Sequence, residues 1–282
     1  MVFRRRSWRS VALTITTLLG LGIGLLAGPA MGQVKLDVPF VPTPQAVVDR
    51  MLAIAKVTAN DYLIDLGSGD GRIPITAAKR YGARGLGIDI DPRRIAEANA
   101  NAQKAGVTER VTFRQQNLFE TPLGEATVLT MYLLESVNLK LRPRLLKELK
   151  PGTRVVSHAF NMGNWQPDKH QIVDGNDIYL WIVPAQVDGR WILKYGDQNI
   201  DVVFRQNFQR LTGSATVGGR SMALEKPSLR GEQISFVLNL GKERRKFTGR
   251  IVGDAIEPIA EDAAKAKGAG VQRADGWRAT RG

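Results

Sequence analysis

The residues with the most chemical meaning lie in "YLIDLGSGDGRIPI", residues 62–75, where Gly67, Gly69 and Gly71 sit at every second position behind an apolar run. Glycine is needed where another group must approach the backbone with no Cβ in the way. A dinucleotide fingerprint requires G-x-G-x-x-G, and here the third glycine arrives one residue early, with Arg72 in the last position. A P-loop requires a Gly-Lys-Ser/Thr ending, which is missing. Asp65 and Asp70 flank the turn and would repel a pyrophosphate. The ligand that suits this turn is therefore cationic at one end and carries no phosphate.

Other contacts must come from neighbouring strand ends, where ligands of open parallel sheets bind. "GLGIDIDP" ends a second strand with Asp89, followed by Ile90, and an acid there takes both hydroxyls of a ribose. "TFRQQNLF" places Asn117 and Leu118 after a third strand, at the base end. Asp65, Gly67, Ser68, Gly69, Asp70, Gly71, Asp89, Ile90, Asn117 and Leu118 thus form one candidate set. S-adenosylmethionine, with its ammonium, sulfonium and nucleoside, meets the description. Asp91 and Pro92 read simply as the start of a helix.

Positioning these residues takes alternating strands and helices. Residues 46–57 carry apolar side chains at helical spacing. Strands are expected over 62–66, 85–88, 111–115, 127–132, 154–159 and 177–185, and helices over 73–81, 93–105 and 137–149. That order predicts an α/β fold over residues 46–185, a Rossmann-like, mainly parallel sheet with helices on both faces. Residues 33–45, punctuated by prolines, read as a linker or lid. Residues 186–282 change to short alternating strands and glycine turns, a small antiparallel β domain. In "QISFVLNL" Ile234, Phe236, Leu238 and Leu240 share its inner face. Residues 261–270 read as a mobile interruption.

Residues 1–32 pair an arginine-rich head (Arg4, Arg5, Arg6, Arg9) with a stretch from Ser10 to Val34 that carries no charge. A cleaved secretory signal and a retained membrane anchor are both open, and either places the remainder outside the cytoplasm, in the periplasm or on a membrane. The net charge is +13, but residues 33–185 carry only +3 and residues 186–282 carry +6, so no nucleic-acid partner is expected. The basic cluster "GKERRKFTGR", residues 241–250, reads as a solvated hairpin tip. The chain has no cysteine, which removes disulfides, thiolate metal sites and the cysteine nucleophile of cytosine C5 methylation. No His/Asp cluster has metal-ligand spacing, and His170 with Asp168 is too little for one.

"IDLGSGDG", "GIDID" and the segment around Asn117 resemble the class I S-adenosylmethionine-dependent methyltransferases over roughly residues 38–183. "VPFVPTP", "DLGSGDGR" and "NWQPD" are most similar to the group containing the ATP-synthase c-subunit lysine methyltransferase and its bacterial relatives. That resemblance implies S-adenosylmethionine as cofactor and N-methylation of a protein lysine. Asn117 stands where most members carry aspartate, and it retains an acceptor for the adenine amino group. A lysine must lose its proton before it attacks, from a free pKa of about 10.4, and an apolar aromatic channel favours that loss. Tyr132, Phe160 and Trp165 are the candidates for such a channel, with Glu135 and His158 as proton acceptors or orienters. His158, inside a strand, reads rather as a hydrogen-bonded core residue. Tyr132, Glu135 and Trp165 remain the catalytic candidates, and the sequence fixes none of them. A small-molecule methyltransferase, or a non-enzymatic envelope protein with a residual cofactor fold, shares the same pattern.

Overall fold

A computed structural model describes residues 40–241, 243–259 and 271–282. The expectations for residues 1–32, for residues 33–39 and for the stretch 261–270 fall outside the described residues. Among the described residues no helix is long and apolar enough to cross a membrane.

The first sheet is built from β1 (Tyr62–Leu66), β2 (Arg84–Asp89), β3 (Val111–Gln115), β4 (Val128–Met131) and β5 (Arg154–His158), with the hairpin β6 (Lys169–Val173) and β7 (Asn176–Ile182). Its order is β3-β2-β1-β4-β5-β7-β6. β1 to β5 are parallel, β7 runs antiparallel to β5, and β6 antiparallel to β7. The order reverses between β1 and β4, so the glycine turn after β1 lies at the switch point where such sheets bind ligands. Helices α1 (Gln45–Ile54), α2 (Arg72–Tyr81), α3 (Pro92–Ala105) and α4 (Glu135–Glu148) cover it. α1 buries Val47, Val48, Met51, Leu52 and Ile54, the residues whose spacing predicts it. Asp91 caps α3, its side chain accepting from Arg93 N at 2.9 Å, with Pro92 at the first helical position.

β6 was not predictable from its own pattern. "KHQIV" is a short edge strand that is mostly exposed, and its register comes from pairing with β7. It replaces the helix that a further parallel strand would need.

The second sheet contains β8 (Gly189–Tyr195), β9 (Gln198–Asn207), β10 (Arg210–Val217), β11 (Arg220–Ala223), β12 (Glu225–Arg230), β13 (Gln233–Leu240), β14 (Glu243–Val252), β15 (Ala255–Pro258), β16 (Val271–Arg273) and β17 (Trp277–Arg281). The path is β11-β10-β9-β8-β17-β15-β14-β13-β12, antiparallel apart from β16, which pairs parallel with β14. Leu224 N donates to Gly213 O at 2.9 Å, which ties the chain entering β12 back to β10 and nearly closes a barrel. Aromatic rings fill its interior: Phe236 stacks on Phe247 at 5.3 Å, and Trp277 meets Phe247 edge-on at 5.4 Å. Ile234, Phe236 and Leu238 are buried as predicted, with Leu240 partly so. The basic cluster starts at the tip of the β13–β14 hairpin, and most of it continues into β14, where Arg244 pairs with Glu225, Arg245 with Glu243 and Arg250 with Glu232.

Phe247 is fully buried at the centre of these rings. Phe247→Ala should lower the unfolding free energy by about 3–5 kcal/mol in urea titration. Cofactor affinity of the folded fraction should be unchanged, because the ring packs within the second sheet's own core.

Candidate active site

The turn after β1 holds Gly67, Gly69 and Gly71 at φ 74°, 52° and 80°, a conformation that side-chain-bearing residues rarely adopt. Different groups use the room. A Cβ on Gly69 would come within 2.2 Å of the Phe40 ring, and one on Gly71 within 2.6 Å of Phe113 and 2.9 Å of Ala98. Gly71 therefore serves the packing of α3 and β3 onto the turn. Gly67 alone of the three lines the adjoining cleft.

That cleft has a volume of about 960 Å³ including its open mouth. Asp65, Gly67, Ser68, Asp70, Asp89, Ile90, Asn117 and Leu118 all border it, so eight of the ten candidates meet there; Gly69 and Gly71 do not. Gly67 N and Ser68 N donate to Ile88 O at 3.0 and 2.8 Å, which locks the turn to the end of β2. Asp89 is placed by the same device, its carboxylate accepting from Gly69 N and Asp91 N at 3.0 Å each. Asp70 turns aside to pair with Arg72. Asn117 uses its amide locally, accepting from Phe119 N at 3.0 Å and donating to Glu120 at 3.2 Å.

Asp65 is nearly fully buried and accepts a 2.7 Å hydrogen bond from the Thr130 hydroxyl of the adjacent strand. Burial pushes its carboxyl up to about 7; the nearby Asp89 and Asp70 add to the rise, and Thr130 opposes it. Ser68 Oγ is buried beside it with no protein partner. A buried acid held near neutrality and an orphan hydroxyl fit a ligand that brings positive charge and a hydrogen-bonding group.

The prolines of residues 33–45 by themselves suggest only a linker or lid. In the structure Phe40, Val41, Pro42 and Thr43 form one wall of the cleft. Arg94 lies 4.6 Å over the Phe40 ring, and Arg72 donates to Thr43 O at 2.7 Å. The signal was present in the prolines of "VPFVPTP", which enforce an extended course; Arg94 gave none.

Of the catalytic candidates, only Tyr132 borders the cleft. Its ring lies 3.8 Å from His158 and 6.2 Å from Phe160. His158 is buried with both nitrogens engaged. Asn176 directs its amide NH2 to backbone carbonyls, so its oxygen must accept from His158 Nε2–H at 3.2 Å, leaving Nδ1 to accept from Thr43 Oγ1 at 3.1 Å. Burial lowers its pKa, which keeps the ring neutral. It supports Tyr132 and the Thr43 wall and is no base. Glu135 opens α4 at the surface, outside the cleft wall but close enough to Tyr179 to help raise that phenol's pKa, after burial and Asp177. Trp165 must be corrected: it is fully buried between Trp181, at 5.9 Å, and Phe208, at 5.9 Å, and it lines no channel. His170 pairs with Asp177 at 2.6 Å, not with Asp168, which instead accepts from Ile182 N. Among the described residues no group of three or more His, Cys, Asp or Glu is placed to hold a metal.

A parallel sheet whose switch-point turn and two strand-end acids, Asp65 and Asp89, converge on one cleft is the arrangement of an S-adenosylmethionine-dependent methyltransferase. The ANTKMT methyltransferase domain matches residues 65–169. A protein-lysine N-methyltransferase of Saccharolobus islandicus is 52% identical over 151 residues, covering 52% of this chain and 94% of the relative. The mouse adenine nucleotide translocase lysine N-methyltransferase is 33% identical over 146 residues, covering 51% of this chain and 63% of its own length. A solved Salinibacter ruber structure, described as an RNA methyltransferase in complex with S-adenosyl-L-homocysteine, is 56% identical with a TM-score of 0.51, over 52% of this chain and 96% of that one. The chain belongs to this protein-lysine N-methyltransferase family, and its cofactor is S-adenosylmethionine.

The neutral form of Asp65 stabilises the cofactor-free fold, and its contribution, complete below the ordinary carboxylate value of 3.8, is lost as pH rises through about 7. Thermal midpoints of the free protein should therefore fall between about pH 4 and 7 and level off above, and Asp65→Asn should remove that component. Cofactor affinity should rise over the same window with release of a proton, detected by calorimetry in buffers of different ionisation enthalpy. In Asp65→Asn both the pH dependence and most of the affinity should vanish.

Proposed function

We propose that the chain transfers a methyl group from S-adenosylmethionine to the ε-amine of a protein lysine. When bound, the cofactor supplies an electrophilic methyl on a sulfonium. Asp65 and Asp89 hold its charged and ribose portions, and the Phe40–Thr43 wall screens it from water. Displacement needs in-line approach, so what remains for the protein is positioning and desolvation. The observation that carries the lysine reading is the aromatic wall of Tyr132, backed by His158 and Phe160, at the end of the cleft. A neutral aromatic wall grips an alkyl stem and disfavours the ammonium form, so the amine arrives able to attack. Glu135 at the head of α4 draws the cationic side chain towards the cleft, and the amine gives its proton to solvent before it attacks. The 52% identical Saccharolobus relative supports the same acceptor.

The Salinibacter structure raises RNA as a second reading. The charges near the aromatic wall weigh against it: Glu135, Asp174 and Asp177 all lie at this edge of the first sheet and repel phosphates. A small-molecule acceptor shares the cofactor residues and differs only in where label appears.

We infer in addition, from the arginine head and uncharged stretch of residues 1–34, that the chain is exported or held at a membrane. Cell fractionation with N-terminal sequencing separates cleavage from retention; full-length protein in the soluble cytoplasmic fraction would overturn the inference.

Incubating extracts of cells lacking the protein with purified enzyme and methyl-labelled cofactor tests the acceptor. A labelled protein band whose hydrolysate contains methyl-lysine is the expected result. Label confined to RNA or to small metabolites would overturn the lysine assignment.

A further inference from the structure

Among the described residues Trp191, Phe204, Phe236, Phe247 and Trp277 fill the interior of the barrel. It engages the first sheet at the β12–β13 turn, where Gly231 packs on Gly152 and Ile182, and through the two-residue hairpin between β9 and β10, Phe208–Gln209. Phe208 packs with the apolar cluster of the first sheet, alongside Trp165 and Trp181, and not with the barrel's own core. Its ring stacks on Trp165 with centroids 5.9 Å apart and planes 17° apart, and Arg142 of α4 lies 5.6 Å over its ring. Gln209 Nε2 donates to Gln166 O at 2.6 Å.

Phe208 adopts φ 55°, the only residue of this turn with a positive value. In two-residue hairpins the first position, when alone in that region, is where glycine is favoured. A bulky ring kept there at conformational cost implies that the ring is needed. Gln206 holds the turn in place, donating from Nε2 to Phe208 O at 2.7 Å.

The segment it touches, residues 159–168, leaves β5 at Ala159, itself at φ 64°, and begins with Phe160 beside Tyr132. Side chains hold this segment: Asn138 at Phe160 O and Asn161 O, Arg142 at Met162 O and Asn164, Trp181 at Trp165 O, and Gln209 at Gln166 O. We propose that the barrel is a fixed brace for the acceptor side of the active site, with Phe208 as the positioning residue that holds residues 159–168 and thereby the Phe160–Tyr132 wall. This rests on the reading of that wall as the acceptor surface.

Amide hydrogen exchange and methyl transfer on the full chain test it, using Phe208→Ala, Phe208→Tyr and the milder Gln209→Ala. Phe208→Ala should speed exchange of residues 159–168 by about tenfold while β1 to β4 keep their protection. Cofactor affinity should stay unchanged, transfer of label to the extract acceptor should fall about tenfold, and Phe208→Tyr should restore both. Gln209→Ala, which removes one hydrogen bond from an exposed turn, should loosen only the residues around Gln166. Unaltered exchange in residues 159–168 would overturn the brace, as would a uniform loss of protection across both sheets. A loosened segment with undiminished transfer would overturn the positioning role. If the unmodified enzyme labels nothing, the proposed function fails, and the exchange measurement still decides whether the hairpin holds the segment.

Discussion

Three carboxylates at adjacent strand tips are the constraint around which the catalytic half is arranged. Asp65 ends β1, Asp70 sits in the turn and Asp89 ends β2, and the parallel register sets Leu66 beside Ile88 so that all three face one cleft. Like charges this close repel, and burial of Asp65 makes the repulsion costly. The fold answers in two ways. Arg72 neutralises Asp70, and backbone amides of Gly69 and Asp91 satisfy Asp89. Asp65 receives only a neutral hydroxyl from Thr130 and so stays near its protonation midpoint. A cationic cofactor would offset the remaining imbalance.

Much of this was legible because local pattern and tertiary environment agree. β1 and β3 begin and end at the residues expected, and α2 and α3 lie within a residue or so, since apolar periodicity, the glycine turn and the Asp-Pro cap point the same way. Where a residue's role depends on partners distant in sequence, the reading failed. Trp165 looks identical in sequence whether it lines a channel or fills a core, and only Trp181 and Phe208, 16 and 43 positions away, decide. Gly71 looks like part of a ligand cradle, yet its room is taken by Phe113 and Ala98. β6 carries no alternation of its own because it is an exposed edge held by its neighbour.

The Phe40–Thr43 wall shows how one short segment couples the two ends of the cleft. Phe40 rests on Gly69 at the cofactor turn, while Thr43 reaches His158 behind Tyr132 on the acceptor side. Arg72 joins them through its bonds to Asp70 and to Thr43 O. Displacing the segment would uncover the glycine turn and remove a partner from the buried histidine at once. His158 also bonds Asn176 at the start of β7, so the antiparallel strand enters the same network as the parallel ones.

The barrel completes this logic from outside the α/β layer. A parallel sheet supplies ligand contacts at strand tips, but the connection after β5 has no helix to fix it and instead runs irregularly through residues 159–168. Such a segment loses conformational freedom only if side chains hold it, and α4 supplies Asn138 and Arg142 from one side. From the other side the barrel contributes a ring at a strained turn position and a single amide. A rigid body of aromatic-filled strands suits that task better than a free loop, because the stiffness of the hairpin is inherited from its register with β8 and β10. On the proposal made above, the appended module acts on catalysis through stiffness, and none of its described residues borders the cleft.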